Sequence, residues 1–279
     1  QKLQRLLKVP IVRGVVRRKV LDGLGLADVR IAGSGSAPLP PDLIDWYDTL
    51  GLHIIEGYGM SEDFAYSHMS TPEKRKAGHV GVPWSNVETR ISPQGEIEIK
   101  SPGNMVGYYK EPQMTAECYT DDGFFRTGDR GEYTEDGLLR ITGRVKELFK
   151  TSKGKYVAPV PIENILNSDS HVELSCVSGS GRPACYAVLQ LPEELRGRMK
   201  EPAFREEMTS KLEALLERVN SQVEGYEQLQ FLAVVSDEWQ TANNFLTPTL
   251  KIKRDVIEST YDPYLDDWYA AKKKVIWQD

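Results

Sequence analysis

The chain has 279 residues, a formal charge of −6, 40% hydrophobic and 27% charged residues, the profile of a globular protein with room for one large or two smaller domains. An acidic balance argues against a general nucleic-acid binder, and no apolar run approaches the length of a membrane span. Cys118, Cys176 and Cys185 are odd in number and spaced unlike any metal or disulfide pattern, which reads as idle thiols in a reducing compartment. His53, His68, His79 and His171 form no helical pair of ligands.

The chain opens with QKLQRLL, already helical in pattern, and its first thirty residues are basic and amphipathic, with a stop at Gly23 and Gly25. Arg13, Arg17, Arg18 and Lys19 read as a solvated face, with at most peripheral contact to an anionic surface. VRIAGSGSAPLPPDLIDWYDTLG predicts strand, glycine turn and helix, with Pro40 and Pro41 near the helix start. LHIIEGYGMSE predicts a second strand running into a turn. Two such units are the grammar of an α/β sheet, which binds ligands at the carboxyl ends of its strands.

From about Gly78 to Leu139 the texture becomes antiparallel. VETRIS-PQG-EIEIKSP predicts a hairpin, and DDGFFRTGD and GEYTEDGLLRITGR predict short strands separated by glycine turns. A domain junction is placed near Lys146, dividing the chain into 1–145 and 146–279. Beyond it, PIENILN and AFREEMTSKLEALLERVNSQ predict helices, and ELSCVSG, ACYAVLQL and QLQFLAVV predict strands. The expected fold is α/β plus a small antiparallel β subdomain, followed by a mobile α+β C-terminal domain.

Five segments could carry chemistry. GSGSAP (Gly33–Pro38) is a weak dinucleotide fingerprint: either a structural turn or a close backbone approach to a flat ligand. In EGYGMSE, Gly57 and Gly59 frame Tyr58, with Ser61 and Glu62 following. An aromatic face, a hydroxyl and a carboxylate there could hold a base, a phosphate and a hard cation; alternatively Ser61 is a helix N-cap with Glu62 in the first turn. FRTGD places Asp129 on a turn after a strand, able to accept ribose hydroxyls or to serve an ordinary β-turn. Arg144 in ITGR is a potential phosphate partner. LTPTLKIKR crowds Lys251, Lys253 and Arg254 together near the end.

In this order the segments resemble the adenylate-forming superfamily of acyl-CoA synthetases, aryl-CoA ligases, luciferases and adenylation domains. SGSAPLP is similar to its adenosine-contacting turn, and EGYGMSE to Y-G-x-T-E with Ser61 for threonine. GEIEIKSPGNMVGYYKEP resembles the family hairpin ending in G-Y-(Y/F). DGFFRTGD resembles D-G-W-(F/L)-x-T-G-D with Phe124 for tryptophan. ITGRVKELFKTSKGKYVAPVPIEN resembles the hinge and following loop, and LTPTLKIKR the closing P-T-x-x-K-x-x-R. The hinge loop and closing segment look most like those of long-chain fatty acyl-CoA synthetases.

The resemblance implies an ATP-dependent acyl-CoA ligase, with fatty acid, ATP and coenzyme A as substrates, Mg²⁺ as cofactor and a cytoplasmic location. It implies that Tyr58 stacks on adenine within the Glu56–Gly57–Gly59 frame, with Gly35, Ser36, Ala37 and Pro38 on the other side. Asp129 would bind the ribose, and Arg144 the ribose or phosphate. Ser61 would contact the α-phosphate, and Glu62 would hold Mg²⁺. Lys251 would bridge the substrate carboxylate and the α-phosphate. Lys146 would be a hinge, and Lys150, Lys153 and Gly154 would line the coenzyme A path. Lys253 and Arg254 would anchor their loop or face solvent.

Three departures stand out. Lys153 occupies a position that is glycine in many long-chain enzymes, and would be strained there if φ were positive. Asp63 adds a charge beside Glu62. The family's Ser/Thr/Gly-rich phosphate loop is absent, so the chain reads as a C-terminal portion, inactive alone, whose partner is the upstream half of the same enzyme. The alternatives are an aryl-acid ligase, an adenylating enzyme with another acceptor, and a non-catalytic adenylation-like binding module.

Overall fold

The structure, a computed structural model, describes Leu7 and residues 9–278; the rest of the opening QKLQRLL helix expectation lies outside the described residues. Two compact units divide the chain, Gln1–Val145 and Lys146–Asp279.

In the first unit, helix α1 (Pro10–Gly23) begins with proline at its first position and precedes Gly25 at φ +72°. Strand β1 (Ala32–Ser34), helix α2 (Pro41–Leu50) and strand β2 (Ile54–Tyr58) follow. Proline suits the start of α2, where no helical N–H partner is needed, and Gly51 closes the helix at φ +84°. The crossover lays β1 parallel to β2, pairing Gly33 with Ile55 and Ser34 with Glu56. Strands β3 (His68–Met69) and β4 (Val82–Pro83) extend this sheet antiparallel.

A second sheet of the same unit is antiparallel throughout: β5 (Glu88–Ile91), β6 (Glu96–Lys100), β7 (Phe125–Tyr133) and β8 (Leu139–Arg144). A short helix, α3 (Pro112–Glu117), lies between β6 and β7 in sequence. The β5–β6 turn uses Gly95 at φ +82°. Alternation buries Ile97, Ile99, Phe125 and Leu139 on one face. Asp129 lies inside β7 and not on a turn after it. Gly128, at φ +73°, and the register shift between Arg130 and Gly131 bulge the strand, and pairing continues.

The second unit starts in the 3₁₀ turn Val145–Glu147 and the two-stranded ribbon β9 (Phe149–Lys150) and β10 (Tyr156–Val157). Helix α4 (Pro159–Asn167) leads to β11 (Leu174–Ser178) and β12 (Cys185–Gln190). A short helix α5 (Glu193–Arg196), the long α6 (Pro202–Asn220) and β13 (Leu229–Val234) follow. Helix α7 (Arg254–Ala271) and β14 (Val275–Trp277) close the chain. The sheet order is β11-β12-β13-β14, with only the first pair antiparallel.

Both faces of that sheet are covered, so every residue of β12 is buried. Ala187, Leu189, Leu232 and Val234 pack with Met208, Leu212 and Leu215 of α6. On the other face Tyr186, Val188, Phe231 and Ala233 pack with Ile257, Tyr261, Leu265 and Trp268 of α7. Those four recur at helical spacing although Pro263 lies inside the helix. No helix among the described residues is long and apolar enough to cross a membrane.

Candidate functional site

The parallel register of β1 and β2 brings the two glycine turns side by side at the carboxyl ends of the strands. A Cβ on Gly35 would sit 3.3 Å from the Gly57 carbonyl oxygen, so only glycine permits this approach without displacement. Gly35 to Pro38 are exposed, and Ser36 adopts φ +67°, a conformation uncommon outside glycine. On the neighbouring turn a Cβ on Gly59 would fall 2.6 Å from Ala65 Cα.

Tyr58 ends β2 and its hydroxyl donates to Asp129 Oδ2 at 2.8 Å. The other oxygen, Oδ1, accepts from Arg144 Nε at 2.9 Å. Asp129 and Arg144 are direct cross-strand partners, so the β7–β8 pairing sets that contact. Thr127 holds the bulge from beneath: its hydroxyl donates to the Ile97 carbonyl at 2.8 Å and accepts from the Asp129 N–H at 3.1 Å. Burial, then the adjacent Asp129 charge, pushes the Tyr58 phenol far above its ordinary value, so it remains a donor. Each Asp129 oxygen has further lone-pair capacity, so the carboxylate can still accept from a ligand.

Ser61, Glu62 and Asp63 form a 3₁₀ turn. Ser61 is exposed and caps nothing; the residue before the turn is Met60, whose N–H donates to Asp63 Oδ1 at 2.8 Å. The cap position is thus Met60 and not Ser61, and no hydrogen bond to the Ser61 hydroxyl is found among the described residues. Asp63 is fully buried and serves the turn, and burial raises its pKa. Glu62 is half-buried, and its Oε1 accepts from the Tyr108 hydroxyl at 2.8 Å. Tyr108 belongs to the Gly-Tyr-Tyr end of the hairpin motif, a signal visible in sequence without its partner. No group of three or more His, Cys, Asp or Glu side chains could hold a metal among the described residues. A cation here would need Glu62 together with oxygens of a ligand, the pattern expected of Mg²⁺ on a nucleotide.

The Glu56 carboxylate is buried and accepts from the Gly78 N–H at 2.9 Å. It ties a neighbouring turn to β2, and burial raises its pKa to about 7. Behind Tyr58, buried His68 bonds Ser67 Oγ at 2.8 Å and the Tyr133 hydroxyl at 2.9 Å. Its ring centroid lies 6.2 Å from that of Tyr58. Nothing in the local sequence marked this support.

Lys251, Lys146 and the Lys150–Gly154 loop all belong to the second unit. Lys251 sits on a turn in which its N–H donates to Thr247 Oγ1 at 3.0 Å and its carbonyl accepts from the Thr247 N–H at 2.8 Å. Its side chain is exposed and its amine has no partner among the described residues. Lys146 is exposed within its 3₁₀ turn. Lys150 places its ammonium 5.4 Å from the Tyr156 ring centroid. Lys153 is exposed, and the positive φ of the loop falls on Gly154, at +80°, so lysine is unstrained at 153. Arg254 does not face solvent: its guanidinium is paired with buried Glu163.

The profile of the AMP-binding enzyme family matches residues 6–109, and that of the AMP-binding enzyme C-terminal domain matches residues 147–273. A long-chain-fatty-acid–CoA ligase of Mycobacterium bovis is 32% identical, covering 88% of this chain and 43% of the relative. The long-chain-fatty-acid–CoA ligase 1 of Cavia porcellus is 31% identical, over 93% of this chain and 40% of its own length. The chain thus spans less than half the length of these relatives. Among solved structures, ATP-bound MatB from Rhodopseudomonas palustris has a TM-score of 0.66 at 26% identity, covering 93% of this chain and 49% of that one. The adenylation domain of a carboxylate reductase from Mycobacterium chelonae shares the fold, with a TM-score of 0.73 at 23% identity over 96% of this chain and 44% of that one. Motif order, fold and both profiles agree: the chain belongs to the adenylate-forming, AMP-binding enzyme superfamily, with fatty acyl-CoA synthetases as its sequence relatives.

Proposed function

We propose that this chain carries the nucleotide-contacting and lid portions of an ATP-dependent fatty acyl-CoA ligase. The observation that carries the reading is Tyr58, Asp129 and Arg144 locked together beside the two glycine turns. That arrangement offers a flat aromatic face, a carboxylate acceptor and a guanidinium within one cluster, a set suited to adenine, ribose and phosphate. The sequence relatives favour a fatty acid as the acid.

The first half-reaction joins two anions: a carboxylate oxygen attacks the α-phosphorus as the bond to pyrophosphate breaks. Catalysis is therefore mostly positioning and charge compensation. Glu62 would hold Mg²⁺, which when bound neutralises phosphate charge. The exposed Ser61 hydroxyl would donate to an α-phosphate oxygen. Lys251, a compact charge on a flexible stem, would touch the substrate carboxylate and the α-phosphate together.

In the second half-reaction the coenzyme A sulfur attacks the acyl carbon, the thiol proton is lost and AMP departs. Lys146 would act as the hinge that exchanges Lys251 for the Lys150–Gly154 loop between the two steps. Gly154 permits close backbone approach there, and Lys150 and Lys153 present cations to an anionic co-substrate.

Lys251→Ala in the full-length protein tests the reading. Carboxylate-dependent exchange of pyrophosphate into ATP should fall at least about a hundredfold, as for loss of a group acting on developing charge. Transfer from preformed acyl-AMP to coenzyme A should persist. Unchanged exchange would remove Lys251 from adenylation.

A further inference from the structure

We propose that Arg254 and Glu163 form a positioning pair that fixes the loop carrying Lys251, an inference that rests on the adenylating role given to that lysine. Arg254 is the first residue of α7, three positions after Lys251. Its guanidinium engages Glu163 as a fork, Nη1 to Oε1 at 2.6 Å and Nη2 to Oε2 at 3.0 Å. The same Nη1 donates to the Val177 carbonyl at 2.9 Å, while the Val177 N–H donates to Glu163 Oε1 at 2.7 Å. Glu147, next to Lys146, approaches Nη2 at 3.9 Å. Four separate segments therefore meet at one cation.

The loop itself is a self-contained turn. Leu246 bridges to Ile252, Thr247 and Lys251 bond each other, and Leu250 is exposed at φ +60°. Lys253 gives its ammonium to Asn244 within the same loop. Phe245 and Leu246 hold the entering side in the apolar core. Among the described residues, Arg254 alone holds the leaving side by directional bonds to α4 and β11.

Stability alone is a poor reason for this pair. A buried ion pair is often no better than apolar residues of similar volume, whereas a planar fork fixes direction as well as distance. Aim matters at this site because displacement of a catalytic group by about an ångström can reduce rate on the order of a hundredfold.

The test uses Arg254→Lys and the isosteric Glu163→Gln in the full-length protein, with Lys251→Ala in parallel. Both pair variants should accelerate amide hydrogen exchange in peptides covering 246–252, with peptides of β12 and β13 unchanged. Adenylation kcat should fall by about ten- to a hundredfold with little change in KM, and transfer from preformed acyl-AMP should stay within about twofold. Unchanged exchange in the loop would overturn the proposal. So would a parallel loss of both half-reactions with the thermal midpoint, the mark of a merely structural role. If Lys251→Ala leaves adenylation intact, the role of Lys251 fails, and loop exchange still decides whether the pair fixes the loop. Should Arg254→Lys not fold, Glu163→Gln carries the decision.

Discussion

Replacing Glu56 by Gln should expose an acid sensitivity that the native protein masks. His68 is 1% exposed, and burial lowers its pKa from 6.5 to about 4. Below about pH 6.5 the unfolded chain binds a proton that the folded state refuses. Stability from His68 is therefore present at neutral pH and lost as pH falls, by about 2 kcal/mol at pH 5. Glu56 is 8% exposed and works in the opposite sense, its pKa raised from 4.5 to about 7. The folded state holds that proton more tightly, so its contribution is present at low pH and lost as pH rises through 7. Between pH 7.5 and pH 5, acidification gains about 2.4 kcal/mol from Glu56, close to the loss at His68.

Gln can still accept from the Gly78 N–H but does not titrate, so the native and variant profiles share every other ionisable group. Opening free energies of β2 and β3 can be read from amide hydrogen exchange, corrected for the pH dependence of the intrinsic rates. On going from pH 7.5 to pH 5, the variant should lose about 2.4 kcal/mol relative to the native protein. Parallel profiles would refute the burial argument for Glu56.

Tyr58→Phe keeps the ring but removes the donor to Asp129, a bond to a charged acceptor. AMP affinity in the full-length protein should drop about tenfold by calorimetry, and an unchanged affinity would detach the triad from the nucleotide. Gly59→Ala forces a Cβ to within 2.6 Å of Ala65 Cα, so the Met60–Ala65 backbone must move. The expected loss is about 1–3 kcal/mol by denaturant unfolding, together with faster proteolysis in that loop.

Local pattern was enough for several elements. Alternation and a Pro-Gln-Gly turn specify the β5–β6 hairpin, the proline-started α2 separates two parallel strands, and the apolar spacing of α6 announces a helix packed on a sheet. The same pattern carried the family, because its motifs are short turns whose glycines and prolines follow from backbone conformation. Helix α7 was not legible: Pro263 interrupts a charge-rich stretch, and its four buried residues become a stripe only against Phe231 and its neighbours. Nor was the strand position of Asp129, since a glycine at positive φ serves a bulge as readily as a turn.

The nine residues LTPTLKIKR mark the boundary between the two kinds of information. Sequence alone determined that three cations crowd together in an acidic chain, on a proline-containing loop that closes an ordered series of motifs. Tertiary structure decided their separate fates. Lys251 stays exposed with no partner for its amine among the described residues, Lys253 bonds Asn244 nearby, and Arg254 is withdrawn to Glu163, 91 residues earlier in the chain. A cation can leave water only where an opposite charge and matching acceptors already wait. The counter-charge comes from Glu163 on α4 and a further acceptor from the Val177 carbonyl on β11, so no reading of the local sequence could supply them.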